Sequence, residues 1–140
     1  MDTPGLIVTL RRRLQGDDAP RPTLGVVAAA RAHRLAGVLY QAEVDAGRTP
    51  APALERAWAG QLAGHLARQA WVADRWPQDL PLPMRFKGAD LADHLYPNPG
   101  CRAARDLDLL VPRAHWPRAV AALGAHARAP RASAAASSAI

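Results

Sequence analysis

Cysteine, lysine and long apolar runs are scarce in this chain of 140 residues. The single cysteine, Cys101, excludes an internal disulfide, and no cysteine or paired histidine lies at zinc-finger spacing around it. No uninterrupted apolar run approaches the ~20 residues of a membrane-spanning helix. The first apolar stretch, residues 6–10, runs straight into Arg11 and has no basic segment before it. We therefore expect neither a signal peptide nor a membrane anchor, and we predict a cytoplasmic protein.

The basic charge of the chain does not have the pattern of a nucleic-acid-binding surface. The formal net charge is +6, but the cations are arginines scattered from Arg11 to Arg131, with Lys87 as the one lysine. Aromatic residues make up 5% of the chain and do not alternate with the arginines. Sequence-specific nucleic-acid binding is therefore not expected. The five histidines lack metal-site spacing and are predicted to be solvated or to lie at the core edge.

The length fits one domain, and its first half has the apolar periodicity of helices. Apolar residues recur at steps of three and four, which predicts helices over residues 6–14, 23–46 and 53–75. The second of these is either continuous or broken once, and prolines stop the third. We expect a helical N-terminal region over residues 1–80.

Beyond residue 80 the spacing of apolar residues changes to one typical of short strands that alternate with helices. The pattern predicts strands over residues 84–88 and 105–111 and helices over residues 89–96 and 114–123. The expected class is α+β, with a short mixed sheet and flanking helices. The tail, residues 125–140, is rich in alanine, serine, arginine and proline and is predicted to be disordered.

Two carboxylates lie two residues apart in the second predicted strand. Side chains alternate along a strand, so Asp106 and Asp108 are expected on one face. A divalent cation removes the cost of bringing two like charges together, and oxygen ligands favour Mg²⁺ or Mn²⁺. Such a site suits phosphoryl or nucleotidyl transfer. The strand, Gly88 and the following helix would offer backbone N–H groups to phosphates, and Lys87 would add a charge.

The same segment carries a longer motif. Its residues are Phe86-Lys87-Gly88-Ala89, Leu95-Tyr96-Pro97, Pro99-Gly100, Arg102 and Asp106-Leu107-Asp108-Leu109-Leu110-Val111. This pattern resembles an uncharacterised nucleotidyltransferase family of the polymerase-β-like superfamily. The resemblance is strong over residues 84–124 and looser over residues 30–36.

The resemblance implies a partial polymerase-β-like core over residues 81–124 and metal-dependent transfer of a nucleoside monophosphate. The donor would be an NTP, with ATP expected first, and the acceptor is unknown. Asp106 and Asp108 would be the catalytic metal ligands, holding Mg²⁺ or Mn²⁺. The candidate nucleotide-contacting residues are Lys87, Gly88, Ala89, Arg102 and Arg105.

The chain departs from the superfamily pattern at Ala89, at Asp90 and at Arg105, which directly precedes the carboxylates. Ala89 has no hydroxyl where the superfamily usually has glycine or serine, and Asp90 places an anion where phosphate would bind. No aspartate or glutamate occurs over residues 112–140 to supply a third carboxylate. We therefore expect a truncated family member that is inactive alone.

Other interpretations stay open at this point. The chain is either an active nucleotidyltransferase, an inactive binding module whose helical half docks a partner, or a glycosyltransferase whose Asp-x-Asp holds a metal and a nucleotide sugar. The Lys87-Gly88-Ala89 unit favours the first over the third. Gly88 also has a purely structural interpretation as a turn residue, Lys87 as a solvated charge and Arg102 as a turn cap.

Overall fold

The computed structural model describes residues 1–124, and four α-helices form the first half of this part of the chain. They are α1 (Thr3–Leu14), α2 (Leu24–Ala32), α3 (Ala36–Asp45) and α4 (Pro52–Arg75). All three predicted helical stretches are confirmed, and the second is broken once, between α2 and α3. The tail predicted to be disordered, residues 125–140, lies outside the described residues.

The helical half is held by capped helix ends and by an alanine-rich and leucine-rich core. The Asp2 carboxylate accepts a hydrogen bond from the Gly5 N–H at 2.8 Å, and the Thr23 hydroxyl accepts one from the Val26 N–H at 3.3 Å. Each side chain satisfies an N–H group that the helix itself leaves unpaired. The buried core residues from α1 to α4 are Leu6, Val26, Val27, Ala29, Ala30, Ala36, Leu39 and Leu54.

A buried ion pair joins α1 to α3. Arg13 Nε donates to Glu43 Oε1 at 2.7 Å, and the side chain of Glu43 is fully buried. Arg13 Nη2 also donates to the carbonyl oxygen of Ala19 at 2.5 Å. These bonds fix the loop between α1 and α2 against α3.

The second half contains two short strands and two further helices. The elements are β1 (Met84–Phe86), α5 (Gly88–His94), a 3-10 turn (Pro99–Cys101), β2 (Asp108–Leu110), a second 3-10 turn (Arg113–His115) and α6 (Trp116–Leu123). The strands pair antiparallel, with Phe86 opposite Asp108 and Met84 opposite Leu110. The α+β class is therefore confirmed.

The strand around the carboxylates is shorter than the sequence pattern predicts. It begins at Asp108, so the expectation of a strand from residue 105 is wrong. The carbonyl oxygen of Ala104 accepts a hydrogen bond from Arg68 Nη2 at 2.6 Å. That bond ties the segment before β2 to α4. Within residues 1–124 the sheet is an antiparallel pair and not the expected mixed sheet, and the polymerase-β-like core stays a prediction.

Contacts between the two halves cross the predicted boundary at residue 80, which itself stays a prediction. A second buried cluster consists of Trp76, Leu80 and Ala119, so the end of α4 packs against α6. Arg118 and Asp79 add a bidentate surface ion pair with both distances at 2.7 Å. In the part of the chain described here, no helix has the length and apolar content to cross a membrane.

Candidate active site

The turn between β1 and α5 places a lysine in a backbone conformation that favours glycine. Lys87 has φ 57° and ψ −126°, whereas Gly88 begins α5 with a negative φ. A side chain is costly in this region, by about 1–3 kcal/mol for a non-glycine residue. The strained residue is therefore the lysine, and Gly88 is not required by the geometry of the turn.

The lack of a side chain at Gly88 leaves space next to this turn. A Cβ built there would approach the Cβ of Ala104 at 3.4 Å, which is ordinary van der Waals contact. Neither backbone conformation nor packing thus demands glycine. Glycine also permits close approach of a ligand to the backbone, and this is the role that the motif predicts for Gly88.

The two carboxylates do not share a strand. Asp108 opposes Phe86 at the end of β1, next to the turn, and Asp106 lies in the exposed loop before β2. The expectation that both side chains lie on one strand face is therefore wrong, because only Asp108 is in the strand. The antiparallel pairing brings Asp108 to the turn, and a shared site with Asp106 stays a prediction.

Neither carboxylate is occupied by a protein partner. Across residues 1–124, Asp106 and Asp108 make no side-chain hydrogen bond or ion pair, and no group of three His, Cys, Asp or Glu residues gathers there as a metal site. Two carboxylates with free oxygens can hold Mg²⁺ when water and substrate phosphates complete its coordination. The donor set therefore fits such an ion only together with the substrate.

The remaining predicted contacts divide into structural and free groups. Arg102 Nε donates to the carbonyl oxygen of Gly88 at 3.2 Å, and Arg102 Nη1 lies 3.2 Å from the Tyr96 hydroxyl. Ala89 is 2% exposed, so its methyl group is buried. Arg105 is exposed and unpaired within the described chain. Arg102 thus makes structural contacts in the turn and leaves three N–H donors unused, so its contact with phosphate stays a prediction.

The segment that carries Arg102 is docked on the helical half. Asn98 Oδ1 accepts a hydrogen bond from Trp58 Nε1 at 2.7 Å, and Asn98 Nδ2 donates to Gln41 Oε1 at 2.7 Å. A Cβ at Gly37 would overlap the carbonyl oxygen of Gly100, so α3 and the 3-10 turn are in backbone contact. The helical half therefore sets the position of Arg102.

A polar cluster that the sequence did not predict holds α5 against α4 and β1. The Asp93 carboxylate lies 2.7 Å from His65 Nε2 and accepts hydrogen bonds from Gln69 at 2.9 Å and Arg85 at 2.6 Å. Burial raises the pKa of Asp93, but the hydrogen bonds from His65 and Gln69 and the charge of Arg85 outweigh it and hold that pKa below its usual value.

The cluster corrects the sequence interpretation of one histidine. His65 is 2% exposed and is a specific partner of Asp93, not a solvated or core-edge group. The four-residue spacing of His65 and Gln69 on one face of α4 was the available signal. Their partner on α5 could not be read from spacing. The cluster fixes the helix that follows Lys87 and does not contain a predicted site residue.

Comparison with known protein families identifies the family of this chain. The sequence model of a family described as "Uncharacterised nucleotidyltransferase" matches residues 24–134. The chain belongs to this family. The match begins at α2 and includes the β1–α5 turn, Arg102 and both carboxylates, so membership in the nucleotidyltransferase family gives the chain a general nucleotidyltransferase role. No curated protein and no solved structure matches it significantly.

Proposed function

We propose that the chain transfers a nucleoside monophosphate from an NTP, ATP in the first instance, to an acceptor that carries a hydroxyl or similar nucleophile. The carrying observation is the pairing of Asp108 with Phe86, which brings one candidate metal ligand to the end of β1, next to Lys87. A cation-binding group and an anion-binding group then lie close together, as a metal-bound triphosphate requires. We assign Asp106 to the same site because it lies two residues before Asp108 in the motif. The family match favours nucleotidyl over glycosyl transfer.

In this proposal each residue acts on a different part of the donor. Asp106 and Asp108 hold Mg²⁺ or Mn²⁺, which supplies charge neutralisation at the phosphates. Lys87 gives a point charge, and Gly88 lets the triphosphate approach the backbone. Arg105 is exposed and free to contact phosphate, while Arg102 keeps the turn in place through the Gly88 carbonyl. The acceptor attacks the α-phosphorus, the bond to the β-phosphate oxygen breaks, and pyrophosphate leaves.

One observation favours a second candidate, an inactive nucleotide-binding or interaction module. Within residues 1–124 no group of three His, Cys, Asp or Glu side chains is arranged to hold a metal ion, so Asp106 and Asp108 have no third ligand there. Two carboxylates can retain a metal-bound nucleotide, whereas the chemical step demands closer control of both reacting oxygens. Nucleotide binding without turnover is the result that this candidate predicts.

The test is titration calorimetry of ATP and GTP into the full chain, with and without Mg²⁺ or Mn²⁺. We expect binding that needs the cation and that is lost in an Asp106→Asn/Asp108→Asn double variant, which keeps side-chain shape and removes the charge. Asp79→Asn is the matched control, because Asp79 is an exposed carboxylate paired with Arg118 near α6. Equal binding in the wild type and the double variant, or no binding in either, would refute the assignment of Asp106 and Asp108 as metal ligands.

Turnover separates the two candidates. Release of pyrophosphate from ATP in the presence of a mixture of small hydroxyl-bearing acceptors, lost in the double variant, supports transfer. Metal-dependent ATP binding with no pyrophosphate release supports the inactive module.

A further inference from the structure

A second candidate site lies next to the turn, between the α2–α3 junction and the segment that carries Arg102. It is a pocket of about 280 Å³ lined by His33, Arg34, Val38, Tyr96 and Arg102, among others. None of its lining residues is acidic. The volume is near the lower end for small-molecule sites, so it suits one charged group of a small ligand better than a whole nucleotide.

Arg34 is present where the backbone favours glycine. The N–H of Leu35 donates to the carbonyl oxygen of Ala30 at 2.7 Å, and the N–H of Arg34 donates to that of Arg31 at 3.2 Å. This is the Schellman ending of α2, in which the residue at the position of Arg34 is usually glycine. Arg34 has φ 60° and shares this left-handed feature, among the non-glycine residues described, only with Lys87.

The side chain of Arg34 makes no stabilising contact that would explain its presence. It is exposed, and within residues 1–124 its guanidinium has no hydrogen-bond or ion-pair partner. A residue held in an unfavourable backbone conformation without compensating contacts points to a role of its side chain in function. For Arg34 that side chain is a cation at the rim of a pocket without acids.

Arg102 supplies a second, already oriented cation. Its bonds to the Gly88 carbonyl and the Tyr96 hydroxyl, and its position 5.7 Å from the centroid of the Tyr96 ring, restrict the guanidinium before any ligand binds. Three of its five N–H donors stay free. Paired guanidinium groups of this kind recognise oxyanions through charge-assisted hydrogen bonds.

We propose that this pocket binds the oxyanion group, a phosphate or a carboxylate, of a small molecule through Arg34 and Arg102. Because Arg102 also holds Gly88, the bound molecule lies beside the turn where the donor triphosphate is placed. The ligand is then the acceptor of the transfer, and this last step rests on the proposed function. The anion site itself does not depend on it.

The test uses inorganic phosphate and acetate as probes, titrated separately into the ¹⁵N-labelled full chain without divalent cations. Chloride keeps the ionic strength constant, so that nonspecific screening is the same throughout. Shifts of the backbone amides of residues 33–38 and 101–103 report the pocket. The probe that binds more tightly identifies the oxyanion as phosphate or carboxylate.

Two variants and one matched control decide the outcome. Arg34→Gln removes the charge, and Arg34→Gly removes the side chain while relieving the backbone, so the second is expected to fold at least as well as the wild type. Both should weaken binding about tenfold or more, the loss expected for a charge-assisted hydrogen bond. Arg31→Gln, an exposed arginine of α2 that does not line the pocket, should bind as the wild type does. Equal affinity in all four proteins, or no binding of either probe to the wild type, would overturn the proposal.

The double variant Asp106→Asn/Asp108→Asn separates this inference from the proposed function. It should lose metal-dependent ATP binding and retain the phosphate or acetate site. An anion site that depends on Arg34 in a protein that does not bind ATP would support the pocket and refute only its assignment to an acceptor. ATP binding without such an anion site would leave the nucleotidyltransferase proposal standing and refute the pocket.

Discussion

Replacing Lys87 tests whether the strain in the β1–α5 turn is retained for function. In Lys87→Gly the backbone at φ 57° and ψ −126° becomes unstrained, and the charge is lost. In Lys87→Ala the charge is lost but the Cβ, and hence the strain, remains. We expect Lys87→Gly to be the more stable of the two, while both lose affinity for Mg²⁺–ATP to a similar extent.

The difference in stability between Lys87→Gly and Lys87→Ala is the balance of two opposing contributions to the free energy of unfolding. The left-handed conformation costs a non-glycine residue about 1–3 kcal/mol. Glycine lowers the stability of the folded protein by about 0.5–1 kcal/mol relative to alanine, because its unfolded chain has more conformational entropy to lose. The net difference between the two variants is then about 0–2.5 kcal/mol with a central value of about 1.2 kcal/mol, or roughly 4 °C in Tm for a domain of this size. The contact of Lys87 Nζ with the Phe86 ring, 4.9 Å from its centroid, is removed in both variants and cancels.

The assay is urea unfolding of both variants followed by circular dichroism, with calorimetry of Mg²⁺–ATP on the same preparations. A Lys87→Gly protein that is no more stable than Lys87→Ala would refute the strain argument. Variants that bind ATP as the wild type does would show that the lysine at this turn does not contact the phosphates.

Three further outcomes follow from the packing of the chain. Asp93→Asn should destabilise the fold by about 2–3 kcal/mol, since it weakens charge-assisted bonds to a carboxylate that is 21% exposed. The lowered pKa of Asp93 means that this stabilisation is present above about pH 4, the unfolded value, and is lost as pH falls through the folded value. The difference in Tm between variant and wild type should therefore shrink below pH 4, and a constant difference from pH 7 to pH 3 would argue against an ionised Asp93. Gly37→Ala should lower the free energy of unfolding, measured with urea, by about 2–3 kcal/mol. The added Cβ would overlap backbone atoms of Gly100 and Cys101, which have no rotamer to move to. A variant as stable as the wild type would contradict that close contact. Burial raises the pKa of the Cys101 thiol, so a disulfide reagent should label the native protein far more slowly than the urea-unfolded one, and equal rates would show that the docked turn opens readily.

Local chain chemistry was sufficient to predict the helices. The spacing of apolar residues and the prolines near residue 77 gave α1, α4 and the broken pair α2 and α3, because helical periodicity depends on neighbours within one turn. The same logic failed for the second strand. It begins at Asp108, where its pairing with Phe86 of β1 begins. Pairing between residues so far apart in the chain leaves no trace in local periodicity.

The family was predicted correctly, whereas the residues of the candidate site stay predictions. The motif selected Lys87, Gly88 and the two carboxylates, and family membership is confirmed by the match over residues 24–134. It could not show that the strained residue is Lys87 rather than Gly88. Backbone conformation at a turn depends on how the flanking strand and helix are oriented, and tertiary packing fixes that orientation.

The sequence by itself determined the α+β class, the helix positions and the family, since each is encoded in spacing or in a contiguous motif. Only the tertiary structure decided that the second strand begins at Asp108 opposite Phe86, that His65 is paired with Asp93 on another helix, and that Arg34 and Arg102 share one pocket. These relations join residues that are distant in the chain. They depend on which surfaces of the helices pack together, and that choice is made by the whole core at once.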